Sequence, residues 1–170
     1  MPILDLADVD QRPFSGAPEL LSARRCDDPV LLSFCQSLSS HLLRDLECRQ
    51  FADVMTFGYF CRKSSISKVF EALPDRGLRM GWGTLIHIAP SNIPVNFAFS
   101  FLMGFLSGNT NYIRVPSTAF RQVDLIVAAI DTVLDDDEFA RLRDSITFFT
   151  CERDDPTPVS YTHLRAHDTK

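Results

Sequence analysis

Residues 81–117 read GWGTLIHIAPSNIPVNFAFSFLMGFLSGNTNYIRVPS. Within this stretch the apolar, β-branched run 84–88 lies between Gly83 and Pro90, the pattern of a short strand buried in a parallel sheet. A polar notch, Ser91-Asn92-Ile93-Pro94, comes next, and then an apolar stretch interrupted by Asn96, Ser100 and Gly104. Pro94 suits a first helical turn, which predicts a buried helix over 94–106. Gly108-Asn109 closes it, since both residues tolerate a left-handed backbone. Residues 111–115 read as a second strand, which Pro116 stops.

Outward from this stretch the alternation continues. Ser117 or Thr118 can cap a helix over 119–134, with Val123, Ile126, Val127, Ile130 and Val133 on one face. Residues 135–137 are three aspartates and read as a solvated loop. A short helix over 138–143 and a third strand over 145–150 follow. Strand, helix, strand, helix, strand predicts right-handed crossovers and a partial Rossmann-like α/β parallel sheet.

Toward the amino terminus the pattern changes at Pro74-Asp75-Arg76-Gly77, a turn. Residues 1–16 read as an irregular or extended arm and 17–25 as a short helix. Asp27-Asp28-Pro29 opens an amphipathic helix over 29–46, with Leu31, Cys35, Leu38 and Leu42 in a stripe that Leu43 and Leu46 widen. Residues 49–73 form another, broken near Lys63-Ser64-Ser65. Its Phe51, Met55, Phe57 and Phe60, with Gly58, either line an acyl pocket or pack as core. The chain thus divides into an arm and helical segment (1–77), an α/β region (78–157) and a tail (158–170).

Composition excludes some functions. The formal net charge is -5 with no basic stripe, which argues against a duplex nucleic-acid binder. No apolar run reaches the roughly 20 residues of a membrane span. The five cysteines form no CxxC pair, and their odd number suggests reduced thiols in a cytoplasmic protein. The acidic start MPILDLADVD does not read as a secretory signal.

In an open parallel sheet, ligands bind beyond the carboxyl ends of the strands. Ser91 and Asn92 occupy such an end. The Asn92 carboxamide can donate to a carbonyl oxygen that becomes an oxyanion, or it can satisfy local backbone in an Asx-turn. Arg114, at the end of the second strand, can hold a phosphate or pair with an acidic neighbour. Neither GxGxxG nor GxxxxGK[ST] is present, so neither common phosphate loop is available.

The segment 81–117 closely resembles the LuxC-type acyl-CoA reductase family of the aldehyde dehydrogenase superfamily. IAPSNIP is similar to the superfamily's strand-to-helix motif Pro-Trp-Asn-Phe-Pro, and SGNTNYIRVPS to its Gly-Asn, strand, Lys-Pro-Ser region. The likeness is detailed over about 80–120 and general over 30–155. It implies that Asn92 is the oxyanion donor and that Ile88, Ala89, Pro90 and Ser91 run along the nicotinamide side of the cofactor. It further implies that Arg114 replaces a Lys at the adenosine ribose and that Ser117 begins the next cofactor loop. Arg favours a 2′-phosphate, so NADPH is expected, with NADH possible. Ser91 departs from the superfamily's Trp, as it does in the acyl-CoA reductase branch.

The same resemblance implies a nucleophilic Cys in a second domain more than 200 residues into the chain, so none of the five cysteines here takes that role. Arg62 and Lys63 beside Cys61 can lower its pKa, yet all five thiols read as buried or incidental. His41 and His87 read as structural, with His87 turned away from Ile86 and Ile88 toward a helix. The residues VSYTHLRAHDTK resemble a translated sequencing adapter, so the tail is set aside, including the i, i+4 pair His163 and His167. The expected whole is a reductase of fatty acyl-CoA, or of an acyl group delivered by a transferase partner, oligomeric when full-length. This chain is expected to be an inactive fragment of it. The alternatives are a stand-alone nucleotide-binding or interaction module, and a relative acting on free aldehydes.

Overall fold

The computed structural model describes residues 3–5, 24–26, 28–73 and 77–150. The tail expected to be foreign, the pair His163 and His167, Cys151 and most of the expected helix 17–25 lie outside them. Arg24 and Arg25 are not helical: Arg25 forms an antiparallel bridge with Met80.

The helical segment starts as its sequence dictates. Helix α1 (Pro29–Arg44) has Pro at its first position and Asp28 as its cap, whose side chain accepts from the Val30 amide. Leu31, Phe34, Cys35, Leu38 and Leu42 are buried along it, whereas Leu46 lies past its end and is 76% exposed. The expected helix 49–73 is two, α2 (Ala52–Phe60) and α3 (Lys63–Glu71), preceded by a short 3-10 turn at Cys48–Gln50. The break falls at Cys61-Arg62, just before the Lys-Ser-Ser run.

Four strands form one sheet: β1 (Leu4–Asp5), β2 (Thr84–Ile88), β3 (Thr110–Arg114) and β4 (Ile146–Thr150). Their order is β1-β4-β3-β2 and every pairing is parallel. The two-residue β1 is part of the arm read as irregular or extended. Helix α4 (Asn96–Leu106) links β2 to β3, and α5 (Arg121–Leu134) links β3 to β4. Parallel strands need such crossovers because a hairpin would reverse direction. The expected starts at 94 and 119 and the expected cap at Ser117 or Thr118 are not observed. Each helix begins two residues later, behind Val95 and Phe120, without a side-chain cap. The last expected helix is a 3-10 turn, Ala140–Ser145.

Successive strand residues point to opposite faces. Leu85, His87, Asn111, Ile113, Ile146 and Phe148 share the face that α4 covers. Phe101 on α4 meets Phe148 at 5.9 Å between ring centres, and Phe34 on α1 meets Phe105 at 5.0 Å. Val123, Ile126, Val127, Ile130 and Val133 are buried as expected. The phenylalanines of α2 pack as core, Phe57 and Phe60 edge-on against Phe99 at 5.2 and 5.5 Å, while Tyr59 is exposed. On the other face, buried Phe149 packs with half-buried Ile86 and Tyr112. Among the described residues no helix is long and apolar enough to cross a membrane.

Candidate functional site

The carboxyl ends of the strands bring together two parts of the nominated site. In the β2–β3 register Ile88 stands opposite Arg114, and registered residues of parallel neighbours share a face. Ile88 is 54% exposed, so β2 ends with an apolar side chain bared beside a half-buried guanidinium. The chain then runs through Ala89, half-buried, and Pro90, Ser91, Asn92 and Ile93, all exposed, before α4 begins. Ser117 is exposed beyond the end of β3.

Because α4 is capped by neither Ser91 nor Asn92, both polar side chains stand on the outside of the turn. Among the described residues, the Asn92 carboxamide makes no hydrogen bond to local backbone of the kind an Asx-turn requires. The turn therefore presents an amide donor and a hydroxyl at the sheet's carboxyl end, on the strand paired with the one that carries Arg114. The chemistry open to such a set is hydrogen bonding to a carbonyl oxygen and charge pairing with phosphate.

Beneath the turn lies a polar cluster that sequence patterning did not assemble. His87 Nδ1 is 2.9 Å from Ser100 Oγ on α4, and His87 Nε2 is 2.9 Å from Asn111 Oδ1 on β3. Asn111 Nδ2 donates to the Asn109 carbonyl at 2.7 Å, which fixes the orientation of that amide. His87 therefore carries its proton on Nε2, and Nδ1 accepts from the Ser100 hydroxyl. Burial holds the His87 pKa below its usual value, against an opposing pull from Asn111. Gly104 allows the approach: a Cβ there would sit 2.7 Å from His87 Cε1 and closer still to Asn111 Oδ1. The signal was present in the sequence as polar residues inside apolar elements, His87 in β2 and Ser100 in α4.

Asn109 likewise serves differently from expectation. Gly108 alone takes the left-handed turn, at φ 78°. Asn109 instead ties three segments: its Oδ1 accepts from the Trp82 and Gly83 amides at 2.6 and 3.2 Å, and its Nδ2 donates to the Gly104 carbonyl at 3.1 Å. His41 lines a groove of about 580 Å³ between α1 and α5, together with Gln36, Ser40, Arg44, Thr132 and Asp136. That groove contains none of the nominated residues. It is a shallow seam between helices, whereas ligands of open parallel sheets lie at strand ends.

The described cysteines offer no activated thiol. Cys61 is buried, and burial pushes its pKa well up, with Cys35 adding to the effect. The neighbouring Arg62 and Lys63 do not lower it. Burial likewise raises Cys35, and pushes Cys48 up to about 11. Cys26, half-buried, donates to the Ser107 carbonyl at the opposite end of the sheet. No group of three or more potential metal ligands occurs among the described residues.

Residues 74–154 match the model of the acyl-CoA reductase (LuxC) family. The match runs from the turn before β2 past the end of β4, so the resemblance carried by 81–117 extends over the whole α/β part. The helices α1–α3, within the broader likeness read from sequence, fall outside it. No curated protein and no solved structure matches the chain.

Proposed function

We propose that this chain is the cofactor-side, amino-terminal part of an NADPH-dependent fatty acyl-CoA reductase. Its product is the aldehyde, made from an acyl-CoA or from an acyl group handed over by a transferase. One observation carries the reading. Within the family-matched segment, the β2–β3 register sets Ile88 beside Arg114 at the carboxyl ends of the strands, just before an open turn bearing Asn92.

The donors present suit the cofactor. Ile88 and Pro90 give an exposed apolar strip for a flat ring, while Arg114 and Ser117 supply a guanidinium and a hydroxyl for ribose and phosphate. NADPH supplies the hydride when bound. The Asn92 amide donates to the substrate carbonyl oxygen as negative charge gathers on it, and that interaction is stronger in the transition state than in the ground state. The acyl-accepting thiolate comes from a Cys outside these residues, since the described thiols are buried or placed at the far end of the sheet.

An exposed sheet edge favours this reading over a stand-alone module. In the strand order β2 is terminal, and its run Thr84–Ile88 has no charge and no Pro to discourage pairing. Leu78, Met80 and Trp82 before the strand, Ile88 at its end and Ile93 in the turn beyond it are all exposed. Such an edge suits a sheet that continues with another strand of the complete protein.

The test is a titration of the purified chain with NADPH and NADH, with Arg114→Leu in parallel, followed by an assay with acyl-CoA and NADPH. The expected result is NADPH binding that the substitution weakens, with no turnover by the chain alone. Absence of dinucleotide binding in a folded sample overturns the cofactor-side assignment. Turnover by the chain overturns the external nucleophile.

A further inference from the structure

At the amino-terminal ends of the strands, opposite the Asn92 turn, lies a cavity of about 70 Å³ lined by Arg24, Gly108, Asn109, Thr110, Arg141, Asp144 and Ser145. One water needs roughly 10–15 Å³ of such volume, so there is room for a tetrahedral ion. We infer that this cavity is a binding site for a phosphate-type oxyanion, held between the guanidinium groups of Arg24 and Arg141. The inference does not rest on the reductase reading, because the cavity shares no residue with that site.

The backbone of Arg24 is pinned. Its amide donates to the Gly108 carbonyl and its carbonyl accepts from the Gly81 amide, both at 3.0 Å. Gly108, at φ 78°, leaves no space for a Cβ, which would collide with the Arg24 carbonyl. The guanidinium is therefore delivered to one place. Its Nη2 donates to the Arg141 carbonyl at 2.8 Å. Its Nη1 is buried and, among the described residues, has no hydrogen-bond partner. A buried cationic N–H without an acceptor is costly and calls for an occupant.

The charges around it favour an anion over water. Burial lowers the Arg24 pKa most, and repulsion from Arg141 is the next cause. The carboxylates of Asp28 and Asp144, which oppose an anion, act less strongly than Arg141. Asp144 lines the cavity without closing an ion pair on Arg24. Water can accept from Nη1 but does not relieve two adjacent guanidinium charges; an oxyanion does both, and arginine's forked donors match its geometry. Thr110 also lines the cavity, and the Ser145 hydroxyl is already engaged, donating to the Leu142 carbonyl at 2.6 Å.

The test is titration of the chain with inorganic phosphate, and separately with phenyl phosphate, against chloride at matched ionic strength, read by thermal unfolding and calorimetry. Phosphate should raise Tm in a saturable way that chloride does not reproduce. Arg141→Gln keeps the carbonyl that holds Arg24, so it should fold normally yet bind phosphate roughly tenfold more weakly. Arg24→Lys, which loses the fork, should weaken binding as well. Tighter binding of phenyl phosphate than of the free ion would mark the site as one for phosphate esters, and the reverse as one for the free ion. Equal stabilisation by phosphate and chloride, or unchanged affinity in Arg141→Gln, overturns the inference.

Discussion

The two sides of β2 are treated in opposite ways. Toward α4, His87 is 7% exposed and bonded at both ring nitrogens, and Phe101 and Phe105 are sealed below. Away from it, Ile86 is half-buried against Phe149, but Ile88 stands bare at the strand's end and Trp82 just before the strand is 93% exposed. Apolar surface normally leaves water wherever it can, so a chain that closes one side to atomic fit and bares the other holds the bare side for something else. If the proposed function holds, the inner side carries stability and the outer side is where binding is expected, and substitutions can separate the two.

The largest effect is expected where the inner side is densest. Phe101 is fully buried against Phe105 and Phe148, at 5.3 and 5.9 Å between ring centres. Phe101→Ala should cost about 3–5 kcal/mol in urea unfolding; a cost below about 1 kcal/mol would mean that the inner side is not the stability-bearing one. On the outer side, Asn92→Ala should leave folding of the chain almost unchanged. In the complete protein, under the proposed function, it should lower kcat about 10²–10³-fold, as loss of an oxyanion donor does. If it unfolds the chain instead, the turn belongs to the inner side and the division fails.

Gly104 sharpens the comparison because helix propensity and packing disagree there. Alanine is favoured over glycine in a helix by about 1 kcal/mol, yet its Cβ would press on the buried His87 ring and the Asn111 amide. Gly104→Ala should therefore destabilise by about 1–3 kcal/mol in chemical denaturation. A stabilised variant would show that the cluster beneath the turn is loosely held.

How much of this was legible in sequence follows from the same contrast. Periodicity placed all three long strands and both crossover helices, because each buries a continuous apolar set such as Val123, Ile126, Ile130 and Val133. It misplaced helix starts, because Val95 and Phe120 begin helices without any capping oxygen. It missed the pairing of Leu4–Asp5 with β4, since two residues carry no period. It gave the turn residues as a local motif, but the register that sets Ile88 beside Arg114 is a tertiary fact. Cys61 read as buried despite its neighbours Arg62 and Lys63, and the fold agrees: burial outweighs the two charges and raises its pKa.

His87 offers a smaller, pH-dependent effect. Its folded pKa lies below the ordinary value, mainly through burial, so at mildly acidic pH the unfolded chain binds more protons than the folded one. The stability this group contributes is complete above the ordinary histidine pKa of about 6.5 and is lost as pH falls through and below it. Denaturation midpoints measured from pH 7.5 down to 5 should decline more steeply for the natural chain than for His87→Gln. Parallel slopes would show that the ring is already solvated and that the inner side is open at this point.

The smallest effect is expected at Trp82, and it is the most discriminating. An exposed side chain away from caps and networks contributes within about 0.5 kcal/mol, so Trp82→Ser should leave the unfolding midpoint almost unmoved. Yet Trp82 borders the uncharged terminal strand β2, and an unprotected edge beside exposed apolar groups is a template for pairing. The substitution should therefore reduce self-association of the purified chain, read as a shift toward monomer in sedimentation at rising concentration. If stability falls instead while association stays the same, Trp82 is packed in the working molecule. The outer side of β2 would then be a continuation of the core, and the contrast from which the binding role was argued would vanish.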